Sequence, residues 1–373
     1  MKNKIFKYDF LIVGGGLVGS LTAIALLKKK FKVLVIEKNK SLPNDQRTLA
    51  VNANSRDFLK TLGIWEKLKI EHEPINKILI KDYINKEGLV FNDSQESMGS
   101  VIFNNSLLKI ARDILIQKKI ILFGEDYNSL NLQSNSTVAL NKKKYLFKKI
   151  IISLGKNYEN SDVFKKNYFH SQHQAYVGFF NHQKNHNQMA YEVFTPSGPL
   201  AVLPSPSLQK KSSTFIYSTK STMNYASLAK LINKSFHISH GKINVKRSIS
   251  MYPIKPHLAR PIQKDVLLVG DTLHSIHPVA GQGWNLGIKD IQALSSNLDE
   301  HNIDDKNFDH FYFSKRIIEN FSYLAFTSAL NFFYESKNPL SKPIINFGFS
   351  VLNKIPKLKN LFIKQAMGKI KLI

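Results

Sequence analysis

Residues 10–13, Phe-Leu-Ile-Val, form an unbroken apolar run that ends on three glycines, and this junction constrains the fold more than any other feature of the chain. A short continuous apolar run suits a parallel strand buried on both faces. Residues 21–27 then read as a helix, and residues 33–36, Val-Leu-Val-Ile, as a second buried strand. Strand, helix and strand make a βαβ unit, which calls for an α/β fold on a parallel sheet. Gly14, Gly16 and Gly19 supply G-x-G-x-x-G across the turn, with Gly15, Leu17 and Val18 between them. The first glycine permits the tight turn, the second lets backbone approach a pyrophosphate, and the third lets helix pack on strand. Free N–H groups and the positive dipole end at the helix start favour phosphate. Glu37, followed by Lys38, closes the second strand, where a carboxylate accepts hydrogen bonds from a ribose diol. The unit predicts a dinucleotide with unphosphorylated adenosine, and at this point FAD and NAD fit equally. The bland alternative is a tight turn with Glu37 merely exposed.

Two further apolar runs can join the same sheet. Residues 150–152 end at Leu154-Gly155, and residues 266–269 end at Gly270-Asp271. The nucleotide-binding domain is therefore expected to be discontinuous, from residues 1–75, 100–170 and 250–300. Short strand-like runs at 174–180, 188–194, 200–203 and 213–218 are separated by Pro, Gly, Asn and Ser turns. They predict an antiparallel sheet in a second domain, built from residues 76–99 and 171–249. From about residue 287 the chain reads as helical, with a C-terminal helical region over 301–373.

Composition narrows the partners. The formal net charge of +26 raises nucleic acid and anionic membranes, yet only six of the 53 basic residues are arginine. Phosphate and base recognition leans on the bidentate arginine fork, and no nucleic-acid motif accompanies the charge. No nucleic-acid partner is expected, and a weak attraction to anionic lipid fits better. The absence of cysteine excludes disulfides, thiolate metal sites and thiol nucleophiles, and fits a reducing compartment. Residues 1–9 are polar and basic, unlike a secretory leader. A long run without charge, at residues 321–334, includes Ser, Thr and Asn and predicts a core helix rather than a membrane span. The expected location is cytoplasmic, peripheral at the inner membrane if lipid is met.

Residues 270–287 read GDTLHSIHPVAGQGWNLG. An acid just past a buried strand can bind polyol hydroxyls, and Pro278 followed by the Gly281-Gln282-Gly283 turn brings a second helix start nearby. This segment closely resembles the GD motif of class A flavin monooxygenases, specifically the ubiquinone-biosynthesis hydroxylases. Residues 45–50 (DQRTLA) resemble that family's early D-x-R-x-x-A loop, and residues 191–204 (YEVFTPSGPLAVLP) resemble its strand pair. Tyr252-Pro253 before the GD strand and residues 364–368 (KQAMG) agree with it, so the resemblance spans the chain in order.

The resemblance implies a Rossmann-like FAD-binding domain of the glutathione-reductase type, an antiparallel substrate sheet and a helical C-terminus. By position, Gly14, Gly16, Gly19 and Glu37 would hold the ADP half of FAD, with Gly15, Leu17, Val18 and Lys38 beside them. Arg47 would lie near the flavin or pyrophosphate, and Gly270 with Asp271 near the ribityl chain. Pro278, Gly281, Gln282 and Gly283, with Asn285, would line the isoalloxazine. Members of that family use NAD(P)H and O2 to hydroxylate an electron-rich aromatic ring, here a polyprenylated phenol. The flavin carries the chemistry, so no dedicated acid or base is demanded of the chain.

The sequence also departs from the family. An Asp-Gly pair is expected after the mid-chain strand, where this chain has Leu154-Gly155; an expected arginine is replaced by Ser106. Leu154 predicts intact FAD binding with slower reduction by NAD(P)H. It lends slight weight to a flavin-dependent reductase or dehydrogenase of the same fold; a flavin-bound assembly subunit without turnover is a further alternative. His274 and His277 are read as structural neighbours of the flavin rather than a base pair or metal site. Glu192 faces either substrate or solvent. Leu358, Leu361, Phe362 and Ala366 form an apolar stripe among lysines, which reads first as a packed C-terminal helix and second as a membrane-facing surface.

Overall fold

The computed structural model describes residues 5–44, 47–68, 71–82, 88–125, 137–141, 143–156, 164–207, 209–263, 266–277, 281–299, 303, 306–335 and 341–370. The opening unit is strand β1 (Ile5–Val13), helix α1 (Leu17–Lys28) and strand β2 (Val33–Glu37). A seven-stranded sheet forms around it, in the spatial order Ile262–Gln263, Val266–Leu268, Lys143–Ile152, β1, β2, Ile121–Phe123, with Thr137–Leu140 paired to Lys143–Ile152. Its five central strands run parallel. Side chains alternate across the sheet, so Phe10, Ile12, Val33 and Val35 enter one buried cluster and Leu11, Val13, Leu34 and Ile36 enter another. This burial on both faces explains the unbroken apolar runs.

The second sheet has eight strands. Seven follow the order Ile243–Val245, Gln174–His182, Ser212–Thr219, Gly198–Pro204, Met189–Thr195, Lys77–Asp82, Leu89–Asn92, and Ser250–Pro253 pairs with Gln174–His182. It is mixed rather than wholly antiparallel, because Met189–Thr195 runs parallel to Lys77–Asp82. Tight hairpins force antiparallel pairing, as Thr195 and Gly198 do for the two strands they join. Lys77–Asp82 comes from far upstream and is free of that constraint. Helix Tyr225–His240 covers one face through Leu228, Ile232 and Phe236, which pack with Phe180 and Phe215.

Three helices, Lys306–Glu335, Ser341–Lys354 and Pro356–Ala366, finish the chain. Pro356 starts the last of them, where its fixed φ suits the helix and its missing N–H costs nothing. Ile363 and Met367 pack against Ala53, Leu89, Phe91 and Met98, with Phe362 and Ala366 alongside, while Leu361 stays exposed. Residues 321–334 are helical and form a core helix on one face only: Tyr323, Leu324 and Tyr334 are buried in core clusters, while Phe321, Phe326 and Phe332 face solvent. The inward side of that helix also carries Tyr312, Arg316, Asn320 and Thr327, each of which makes a side-chain hydrogen bond inside the protein. Among the described residues, no helix is long and apolar enough to cross a membrane.

Candidate functional site

The carboxyl ends of the parallel strands open into a cleft of about 710 Å³, within the size range of cofactor pockets. Gly14, Gly16, Leu17 and Val18 form one end of its wall, with Glu37 and Lys38 at the tip of β2. Arg47 and Asp271, both exposed, line it further along, followed by Gly281 and Gly283. Leu203 and Ile216 of the second sheet and Ile276 add an apolar portion.

Steric detail explains the glycines. Gly14 has φ +104°, and a Cβ there would run into the Ser153 carbonyl. A Cβ on Gly19 would meet the Gly14 carbonyl, so this glycine serves helix-to-strand contact. Around Gly16 a Cβ meets nothing within 4 Å, leaving open space on the cleft side. Gly16 caps α1 without a side-chain hydrogen bond, and the first turn holds no acid. The helix N–H groups are thus available to an anion. The second helix, Gln282–Ser296, starts the same way: Gly281 is left-handed, with φ +63°, and provides no side-chain cap. Two uncapped helix starts flank one cleft, and that donor set fits a dinucleotide with a pyrophosphate at one end.

Glu37 is held rather than loose. Its Oε2 accepts from the Gly15 N–H at 2.8 Å and its Oε1 from the Asn39 N–H at 2.9 Å. Arg112, buried on helix Asn104–Gln117, pairs with Glu37 at 3.2 Å. The same guanidinium donates to the carbonyls of Gly15 (2.9 Å), Asn39 (3.2 Å) and Ser41 (3.3 Å). Sequence reading missed Arg112 entirely, since it lies 75 residues beyond the acid it holds.

The GD turn rests on a second buried device. Asp290, fully buried, accepts from the Gly270 N–H (2.7 Å), from His274 Nε2 (2.8 Å) and from Arg316 Nε (2.7 Å). Arg316 also bonds Glu319 and, at 2.7 Å, Asn320. Burial alone would raise the Asp290 carboxyl, but His274 and Arg316 reverse this and hold it below its ordinary range. Thr272 binds the Leu154-Gly155 turn, accepting from Leu154 N–H at 2.8 Å and Gly155 N–H at 3.1 Å. The turn therefore keeps its place without a carboxylate at position 154, and Leu154 itself lines the cleft. Lys156 and Lys166, also unforeseen, both lie within electrostatic reach of Asp271; burial lowers Lys156 and pulls Lys166 down to about 8, against the pull of that carboxylate.

Ten of the expected residues line the cleft: Gly14, Gly16, Leu17, Val18, Glu37 and Lys38 at one end, Arg47, Asp271, Gly281 and Gly283 toward the other. Gly15, Gly19 and Gly270 sit behind its wall as buried backbone supports. Asn285 does not face the cleft. It is buried, accepting from Asn52 N–H (3.1 Å) and donating to the carbonyls of Ala50 (2.9 Å) and Gly281 (3.0 Å), so it ties the helix start to strand Thr48–Asn52. The helical turn carries its side chain inward, away from the glycine-lined side. Pro278 and the side chain of Gln282 lie outside the described residues, as do Asp45 and Gln46. His274 is absorbed by Asp290 and His277 stacks edge-on against His173 with centroids 4.9 Å apart, so the two histidines serve different neighbours. No metal-binding group occurs among the described residues. Glu192 is buried on the strand face that also carries Phe194, which stacks on Tyr334 of helix Lys306–Glu335. Solvent exposure is ruled out for it.

Fold and cleft together define a flavin-type nucleotide-binding oxidoreductase. The family described as FAD binding domain matches residues 7–121 and 172–303, more than half of the chain, and the chain belongs to that family. FAD is its cofactor. Along nearly its full length the chain is similar to the mitochondrial ubiquinone biosynthesis monooxygenase COQ6 of Dictyostelium discoideum, at 26% identity over 98% of this chain and 92% of that protein. It is 26% identical to the ubiquinone hydroxylase UbiL of Rhodospirillum rubrum, over 98% of this chain and 90% of the other. Against the 3-demethoxyubiquinol 3-hydroxylase of Escherichia coli identity is 25%, over 96% and 98%. Among solved structures, the p-nitrophenol 4-monooxygenase PnpA of Pseudomonas putida shares the fold, with TM-score 0.79 at 15% identity and coverage of 99% and 100%.

Proposed function

We propose that this chain is an FAD-dependent monooxygenase that hydroxylates the aromatic ring of a polyprenylated ubiquinone precursor, with NAD(P)H and O2 as co-substrates. The observation that carries the reading is end-to-end similarity to three ubiquinone-pathway hydroxylases together with one cleft uniting the glycine turn, the GD turn and an apolar wall. When bound, FAD supplies the redox and oxygen chemistry. Glu37 would hold the adenosine ribose, the N-terminus of α1 the pyrophosphate, and Asp271 the ribityl hydroxyls. Gly281 and Gly283 would let the ring system lie against backbone, close to the N-terminus of helix Gln282–Ser296, where the dipole favours negative charge. Leu203, Ile216 and Ile276 would exclude water from the reacting ring. A polyprenyl chain partitions into lipid, so the protein would work from the cytoplasmic side as a peripheral protein at a membrane surface.

Quinone profiling of a strain lacking this gene tests the reading. Accumulation of one under-hydroxylated prenylphenol is expected, and a normal quinone pattern would reject it. A second reading, a flavin-dependent reductase of the same fold, draws on Leu154 alone. It predicts NAD(P)H oxidation without oxygen incorporation into a phenol.

A further inference from the structure

Helix Lys306–Glu335 buries Phe308, Tyr312, Tyr323, Leu324 and Tyr334 together with a polar group, yet it also leaves large apolar side chains on its outer face, unlike an ordinary surface helix. Its inner face holds the Arg316–Glu319–Asn320 group, and Arg316 is fully buried against Asp290. Its outer face carries Ile318, Phe321, Phe326 and Phe332, which are 48–63% exposed. At about 100° per residue these four fall on one side of the helix. Exposed Ser322, Ala325 and Ala329 fill the space between them, and no residue from Asn320 to Tyr334 is charged.

The next two helices continue the pattern. Ser341–Lys354 packs inward through Ile345 and Phe349 but turns Phe347 outward at 70% exposure. Around the last helix, Ile355 and Leu361 are also exposed. Among the described residues, seven of the sixteen large exposed apolar side chains thus lie on these three helices or, as Ile355, at the junction between two of them, too many for scattered surface residues. Residues 341–370 contain six lysines and no acid, and Lys354, Lys357 and Lys364 are exposed.

We propose that this face is a docking surface for an anionic lipid bilayer. Exposed apolar side chains on a helical region whose residues 341–370 carry lysines and no acid complement a headgroup layer of negative charge. A second copy of the chain is a poor occupant, because a two-fold interface would bring the same lysines together. The inference names the surface for the membrane placement in the proposed function and rests on that placement, not on the hydroxylation reaction. It places the membrane contact on the helix whose inner face braces the GD turn.

Vesicle co-sedimentation of the full-length, flavin-loaded protein tests this. Binding is expected to phosphatidylcholine vesicles containing about one-third phosphatidylglycerol, to be weak on phosphatidylcholine alone, and to fall as salt rises. The triple change Phe321→Ser, Phe326→Ser, Phe347→Ser should weaken binding about tenfold, because bound affinity scales with buried apolar area. Lys354→Gln with Lys357→Gln and Lys364→Gln should remove the preference for anionic lipid. All six positions are exposed, so melting curves should stay unchanged. Wild-type protein that ignores anionic vesicles, or a phenylalanine variant that binds like wild type, overturns the proposal. A wild-type dimer lost in that variant, seen by sedimentation velocity without vesicle binding, assigns the face to a second copy and also overturns it. The readout needs no turnover, so its failure is distinct from a failure of the hydroxylase reading.

Discussion

Arg112 does for the nucleotide turn what the glycine motif cannot do for itself. Glycines permit a conformation, whereas the guanidinium of Arg112 holds Glu37 and three carbonyls around it in place. Arg112→Lys keeps the charge but loses the planar fork. The expected result is a loss of about 2 kcal/mol in urea unfolding and about tenfold weaker FAD binding, measured by flavin fluorescence titration. An affinity equal to wild type would show that Glu37 needs no such anchor. Leu154 raises a different question, since Thr272 already fixes the backbone of its turn. If a carboxylate at this place serves reduction rather than folding, Leu154→Asp should leave FAD affinity unchanged and raise the rate of flavin reduction by NAD(P)H at least about threefold in stopped flow. An unchanged rate would remove Leu154 from the account.

Two elements, each a strand leading through glycine into a helix, make the two ends of the cleft, and they differ in how they are supported. In the first, close packing decides. Gly14→Ala should disrupt folding of the turn, because the added Cβ meets the Ser153 carbonyl at a φ of +104°. Gly16→Ala should fold with near-wild-type stability, since its Cβ enters open space, yet lose FAD affinity because that space belongs to the cleft. Comparing urea midpoints with flavin titrations for the pair checks this; equal loss of stability in both would contradict it. In the second element a buried ionic group decides. Asp290 caps Gly270 and is itself held by Arg316 from the following helix, so the GD turn depends on a contact with the C-terminal region.

At the scale of the whole molecule, acid sensitivity is built into buried histidines, one of which, His257, bonds the Asp271 carbonyl behind the cleft. His182, His186 and His240 cluster under the second sheet, with His182 and His240 edge-on at 4.6 Å. Burial pulls His186 and His240 down to about 4 from 6.5, with His182 adding to the shift, and burial with Lys166 does the same to His257. The native state therefore resists protons that the unfolded chain binds near 6.5. Stability is complete above that pH and is lost as pH falls toward 4, by at most about 1.4 kcal/mol per pH unit for each histidine. Urea midpoints between pH 7.5 and 5 should fall accordingly. His240→Phe, placed among Phe180, Tyr191 and Phe236, should flatten the slope. An equally steep slope in that variant would assign the acid sensitivity to other groups.

Local chemistry was legible from the amino-acid order. The apolar run, the three glycines and Glu37 announce a βαβ nucleotide turn because all its requirements lie within 37 residues. The GD segment is legible through its resemblance to a motif of flavin monooxygenases, and that resemblance pointed to FAD. What the order could not show is which distant side chains meet. Arg112 reaching Glu37, Arg316 reaching Asp290 and Asn285 turning inward to strand Thr48–Asn52 depend on long-range packing, as does the parallel pairing of Met189–Thr195 with Lys77–Asp82. The uncharged run at 321–334 shows the limit most clearly. Apolar content alone reads as core, but the tertiary structure turns Tyr323, Leu324 and Tyr334 inward, in line with Arg316 and its partners, and leaves Phe321, Phe326 and Phe332 outside. Burial is a relation between elements, and only the assembled fold decides which face of a helix it covers.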